Sequence, residues 1–318
     1  MTDGARQGPT EPVVSASFDR TGIAALELLD HGRVDWGRVR RTAYLVHQQW
    51  RYEYPSTIYN LNHRLVVVPP TLYDDQRRVL YSLEVSGADY TLGEHVDPFG
   101  NLVLTVQAPE VRDAIDFEVW IVAERRVSAH PHLAGATPLD AYLLPSRLVS
   151  WDDALRRTAA EIAPDDMPPP ALAAAMNDWV HQRMSYAFGV TDVKTTAADA
   201  LALGRGLCQD YAHVMIALCR LRGLHARYVS GHLLAEGGTH AWVEVLLPRA
   251  DGTGTTEVLA FDPTNGCRTG LNYLTVAVGR DYDDVAPTSG TYSASVSGRL
   301  SSRKRVGLTE IDYLGMGV

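Results

Sequence analysis

The chain changes texture twice. Between residues 42 and 123 its hydrophobic positions come in short runs of β-branched and aromatic side chains, at 42–54, 62–68, 79–85, 101–106 and 117–123, punctuated by Pro55, Pro69-Pro70 and Asp97-Pro-Phe-Gly-Asn101. Short strands between turn signals predict an antiparallel β domain of the sandwich kind. From residue 151 the spacing becomes helical, with helices predicted at 151–162, 168–184, 196–204 and 207–223. The last is the most regular. Leu207, Tyr211, Val214, Met215, Leu218 and Cys219 recur at helical intervals, Arg220 and Arg222 fill the final turn, and Gly223 stops it. Thr196 followed by Asp199 predicts a capping box for the short helix that ends at Gly204. Alternation returns at 226–234, 239–247 and 257–262. In the middle run Ala241, Val243, Val245 and Leu247 share one face, and His240, Trp242 and Glu244 the other.

This order predicts an α+β chain: a tail over 1–38 with a single helical turn, an N-terminal antiparallel β-sandwich domain over 39–125, a linker with a helix over 126–170, and a core of helices packed on an antiparallel sheet over 171–318 that includes the C-terminal strands. A chain of 318 residues has room for two such cores. The formal charge of −9 argues against a nucleic-acid partner, and the short basic cluster at 299–305, interleaved with serines, reads as a solvated strand. No apolar run reaches membrane-spanning length. The first residues have neither the basic start nor the apolar stretch of a secretory leader. Three widely spaced cysteines make neither a disulfide framework nor a zinc motif, so a reducing, cytoplasmic setting is expected. No cofactor is implied. His130-Pro-His132 has no third ligand nearby, and His63 and His95 stand alone as ordinary strand or surface histidines.

Candidate chemistry begins at Cys208. It falls in the first turn of the 207–223 helix, where unpaired N–H groups and the positive end of the helix dipole favour a thiolate. By itself that placement fits a buried small hydrophobe equally well. The two strands after the helix add a base. His240 begins one and Asp262 ends the other, so both stand at the open end of a hairpin. In a register centred on Asp251 they are directly opposite, with Cβ atoms about 5 Å apart. A carboxylate there accepts the imidazole N–H and fixes its tautomer. Nucleophile, base and orienter are then complete, with the Cys208 backbone N–H as one oxyanion donor and Tyr186 as the candidate for the second. His213 lies five places along the helix from Cys208, too far round to meet it, His232 has no acidic neighbour in sequence, and Cys219 and Cys267 read as inert thiols.

Four ordered motifs resemble the transglutaminase-like superfamily in its bacterial, protease-like branch: Gly204-Arg-Gly-Leu-Cys208-Gln-Asp-Tyr-Ala-His213, Leu221-Arg-Gly-Leu-His-Ala-Arg-Tyr-Val-Ser-Gly231, Thr239-His-Ala-Trp-Val-Glu-Val245 and Phe261-Asp-Pro-Thr-Asn-Gly266. Tyr52-Glu-Tyr-Pro55, 65–70 and 97–101 are similar to the β domain that precedes the core in this branch. The resemblance implies a papain-like core with Cys208, His240 and Asp262 as a triad. It also implies an acyl-transfer enzyme acting on peptide, isopeptide or glutamine-type amides. Hydrolysis is favoured slightly over transfer to an amine. A non-catalytic binding module on the same fold is the reading from another class, and the presence of all three chemical residues speaks against it. His225 departs from the family, where a proline is common.

Overall fold

The structure is a computed structural model that describes residues 13–14, 20–128, 133–134, 139–234, 239–249 and 255–314. Its contacts fall into two units, residues 1–127 together with 286–318, and residues 128–285. The first part of the chain forms β1 (Val39–Glu53), β2 (Ile58–Leu65), β3 (Gln76–Ser86), β4 (Thr91–Val96), β5 (Leu102–Val111) and β6 (Ala114–Arg126). The second unit contributes α1 (Asp153–Glu161), α2 (Pro169–Arg183), α3 (Ala197–Leu203), α4 (Cys208–Leu221), β7 (His225–Leu233), β8 (His240–Pro248), β9 (Thr256–Asp262) and β10 (Tyr273–Gly279). The chain finishes with β11 (Thr288–Ser293) and β12 (Arg299–Tyr313).

The first unit is the antiparallel β-sandwich that the sequence predicts. One sheet has the order β3–β6–β1–β12 and the other β11–β2–β5–β4. Their inner faces meet through aromatic rings. His63 of β2 stacks on Phe117 of β6 at 4.5 Å between centroids and meets Tyr52 of β1 edge-on at 4.9 Å. Two expectations need correction. The C-terminal strands belong to this sandwich and not to the 171–318 core, because β12 pairs with β1 from Arg299 opposite Glu53 to Tyr313 opposite Val39. It forms the sheet's edge, where Arg303, Lys304 and Arg305 are suited to a solvated strand that must not recruit another chain. His63, read as an ordinary strand or surface histidine, is 2 % exposed and lies in the core. The tail expected over 1–38 falls outside the described residues at 1–12 and 15–19; a short helix, Arg20–Ala24, stands within its described part.

The second unit sets helices against an antiparallel sheet of order β9–β8–β7–β10. Helix α4 packs on β7 and β8, and α1, α2 and α3 pack on α4. Every residue from Asp210 to Arg220 is buried, so α4 is a central helix wrapped on all sides rather than an amphipathic one. Local signals set its approach. Thr196 and Asp199 form the predicted capping box, and Gly204 ends α3 at φ 62°. The helix at Asp153–Glu161, expected in a linker, is part of this unit because it packs on α4. His130 and His132 lie outside the described residues.

His63 gives a pH test of the sandwich. Burial pushes its imidazole down to about 4. The unfolded chain takes up the proton near 6.5, before the folded one does, so stability falls as pH drops from about 6.5 to about 4, by up to about 3 kcal/mol. His63→Phe should remove that loss, as read by urea midpoints across this range; an unchanged acid dependence would contradict the assignment.

Candidate active site

The segment that enters α4 is fixed before Cys208 is reached. Leu207 is extended at φ −99° and ψ 177°, so Cys208 begins the helix proper. Asp210, one turn in, folds back: its Oδ2 accepts the Leu207 backbone N–H at 2.7 Å and the Thr191 hydroxyl at 2.7 Å. Burial pushes the Asp210 carboxyl up, against these two donors. Position 206 has to be glycine here, since a Cβ would lie 2.4 Å from the Asp210 carboxylate. On the other side, Ser185 and Tyr186 pair in parallel with Arg205 and Gly206. Tyr186 is thereby placed beside the segment leading to Cys208, with its ring 6.4 Å from that of Tyr211 on α4.

His240 and Asp262, the candidate base and orienter, are brought together. His240 Nε2 and Asp262 Oδ2 are 2.7 Å apart, and both side chains are fully buried. The register that achieves this differs from the expected one. Val243 faces Phe261 and Glu244 faces Ala260, and continuing the alternation puts Asp262 across from Trp242. His240 is therefore the diagonal neighbour, two residues along, rather than the residue opposite. A shift of two preserves the face, because side chains alternate with period two, and the imidazole spans the added distance. Gly231 pairs with His240, and the close approach there leaves no room for a Cβ, which would meet the Leu274 carbonyl at 2.2 Å and the Trp242 ring at 2.4 Å.

Asp262 has partners that no sequence pattern announced. Its Oδ2 also accepts from Asn265 Nδ2 at 2.7 Å and from the Tyr273 hydroxyl at 2.8 Å. Its Oδ1 accepts the backbone N–H groups of Thr264 at 2.9 Å and Asn265 at 3.2 Å. Burial pushes this carboxyl up, but the hydrogen bonds from His240, Asn265 and Tyr273 outweigh it and hold the group below its ordinary range. Asp262-Pro-Thr-Asn265 could have been read as an Asx-type turn closing on its own carboxylate. Tyr273 comes from β10, two strands beyond β8 in the sheet, and no local signal points to it. His181 of α2 buttresses the turn: its Nδ1 is 3.0 Å from the Thr264 carbonyl, and its ring fills the space beside Gly266.

Other candidates resolve simply. His213 is fully buried with its Nε2 accepting the Tyr282 backbone N–H, and burial pushes it down to about 3. His232 is buried within β7. Cys219 is completely buried, which pushes its thiol up to about 12. Cys267 is exposed on the short strand that pairs with Asp262, with its sulfur 3.6 Å from the Tyr273 hydroxyl.

Residues 156–254 match the model of the "Transglutaminase-like superfamily", and residues 44–124 match the "Bacterial transglutaminase-like N-terminal region". The chain carries a transglutaminase-like core and, before it, a bacterial transglutaminase-like N-terminal domain. An uncharacterized protein of Mycobacterium leprae is 34% identical over 164 residues, 48% of this chain and 56% of that protein. One of Mycobacterium tuberculosis is 35% identical over 152 residues, 43% of this chain and 47% of that protein. The match thus spans about half the length of these curated relatives. Among solved structures, "a Putative Cysteine Protease from Cytophaga hutchinsonii" superposes with a TM-score of 0.70 at 19% identity, over 88% of this chain and 95% of that one. At this identity the likeness is one of fold. Among the described residues no helix is long and apolar enough to cross a membrane.

Tyr273→Phe deletes one donor to Asp262 while keeping the ring. The variant should lose about 1.5 kcal/mol at neutral pH. Because the depressed carboxyl stabilises the fold above its unfolded pKa and ceases to as pH falls through its lower folded one, the gap from the parent should persist down to the ordinary carboxylate range and narrow only below it. Paired urea titrations at pH 7 and stepwise below about pH 4 read this directly, and a gap that never narrows in acid would refute the hydrogen-bond account.

Proposed function

We propose that the protein is a cysteine-dependent acyl-transfer enzyme acting on peptide, isopeptide or glutamine-type amides through a thioester on Cys208, with His240 as base and acid and Asp262 as its orienter. The observation that carries this reading is the buried His240–Asp262 pair at 2.7 Å, with His240 on β8, the strand against which the helix beginning at Cys208 is packed. Nε2 faces the carboxylate, so proton exchange with Cys208 runs through Nδ1. Cys208 gives its proton to His240, and the sulfur attacks the amide carbon. The oxyanion is met by the Cys208 backbone N–H, which as a first-turn amide has no intrahelical partner, and by the Tyr186 hydroxyl. The C–N bond breaks as His240 protonates the leaving amine. Water, deprotonated by His240, then attacks the thioester carbon, and loss of the sulfur releases a carboxylic acid and restores the thiol. An amine in place of water would give transfer. Hydrolysis is the chemistry named for the Cytophaga protein of the same fold. The cysteine content supports a reducing, cytoplasmic setting.

Iodoacetamide near neutral pH should label Cys208 ahead of Cys219 and Cys267, and equal labelling by mass spectrometry would remove the activated thiol. Cys208→Ala should lower turnover of an amide substrate by at least about 10⁴-fold with the urea midpoint preserved. Retained activity would end the mechanism. Running the parent enzyme with and without a primary amine assigns the acceptor: a free acid in both identifies a hydrolase, and an amine-bearing product identifies a transglutaminase.

A further inference from the structure

Phe188 is 79% exposed and Tyr186 46% exposed, and their rings meet edge-to-face at 5.4 Å. A largely bare phenylalanine with another aromatic ring for support is an apolar surface that folding does not use. Its position is tightly defined. Tyr186 pairs with Gly206 and the Ala187 N–H donates to the Gly206 carbonyl at 3.0 Å, so the pair of rings hangs from the residue two before Cys208. From the other side the Tyr186 ring approaches Tyr211, one turn into the helix that Cys208 begins. The loop is tied down again beyond the rings, where the Thr191 hydroxyl donates to Asp210. Held at both ends against the nucleophile's own helix, the rings form a fixed shelf.

The reach fits a peptide. Neighbouring paired strands lie about 5 Å apart and each extended residue advances about 3.4 Å, so Tyr186 and Cys208 are separated by no more than about three residues of an extended chain. We propose that Phe188 and the ring of Tyr186 form a subsite for a large apolar or aromatic side chain of the peptide substrate, within three residues of the amide that Cys208 attacks. The inference rests on the acyl-transfer reading for its occupant. The shelf offers contact area without charge, so it selects for Phe or Leu over Ala or Asp at that substrate position.

The test uses blocked peptide amides that differ only in carrying Phe, Leu, Ala or Asp at each of the three residues on either side of the reactive amide. With the parent protein, one position should show KM at least about tenfold lower for Phe than for Ala. Phe188→Ala should abolish that preference while leaving kcat and the Ala-peptide KM unchanged. Binding of the same peptides to Cys208→Ala protein, with and without Phe188→Ala, separates the two readings. A preference in binding that depends on Phe188, with no turnover of any peptide by the parent, would support the shelf and overturn the enzyme. Turnover with no preference at any position, or a preference that survives Phe188→Ala, would overturn the shelf and leave the enzyme standing.

Discussion

The organising interaction of the second unit is the demand of one buried carboxylate. Asp262 has no contact with solvent, and an ionised group in that position is tolerable only when its lone pairs are filled. Five donors fill them: the His240 ring, the Tyr273 hydroxyl, the Asn265 side chain and two backbone N–H groups of the turn that follows. These donors come from β8, from β10 and from the chain just beyond β9, so satisfying the charge fixes three separate pieces of the sheet relative to each other. The Asp262-to-Gly266 turn cannot relax without breaking the arrangement, and His181 of α2 holds it from beneath. A site built this way is preorganised, since the imidazole is oriented by groups whose own positions are set by the fold.

Close backbone approach is the second constraint, and it acts on both sides of the chemistry. Gly206 allows Asp210 to fold back onto the start of α4, and Gly231 allows Trp242 to lie across the strand beside His240. Each is a place where one carbon atom would displace a neighbour that orients a candidate functional residue. The left-handed turn at Gly204 serves a different end: it stops α3 and turns the chain toward the ladder with Ser185 and Tyr186.

Much of this was legible in the order of residues, and the limits have physical causes. Helix α4, the capping box at Thr196 and the face shared by His240, Trp242 and Glu244 follow from periodicity and local hydrogen bonding, both of which act within a few residues. The pairing register depends on a loop whose length does not determine it. The parity that puts His240 and Asp262 on one face was therefore readable, while the offset of two was not. Tyr273 and His181 reach Asp262 from elements distant in sequence. The destination of β12 was hidden for the same reason: a polar edge strand pairs through its backbone, and its side chains carry little sign of which sheet receives it.

The burial of α4 bears on where the candidate residues at its first turn stand. A helix surrounded on all sides has only its ends available to solvent and substrate, and its C-terminal turn is occupied, with Arg220 donating to the carbonyls of Ala226, Leu144 and Arg280. The N-terminus is one point where this rigid core meets the surface. Cys208 stands there half-buried, backed by a helix that packing holds in place and bordered by a loop that Thr191 and Tyr186 tie to it. Asp210 is the hinge of this arrangement: the same carboxylate oxygen that caps the helix also anchors the loop bearing Phe188. Cys208 and the loop bearing Phe188 are therefore held on one rigid frame, so a side chain resting on Phe188 would lie at a fixed distance from the sulfur.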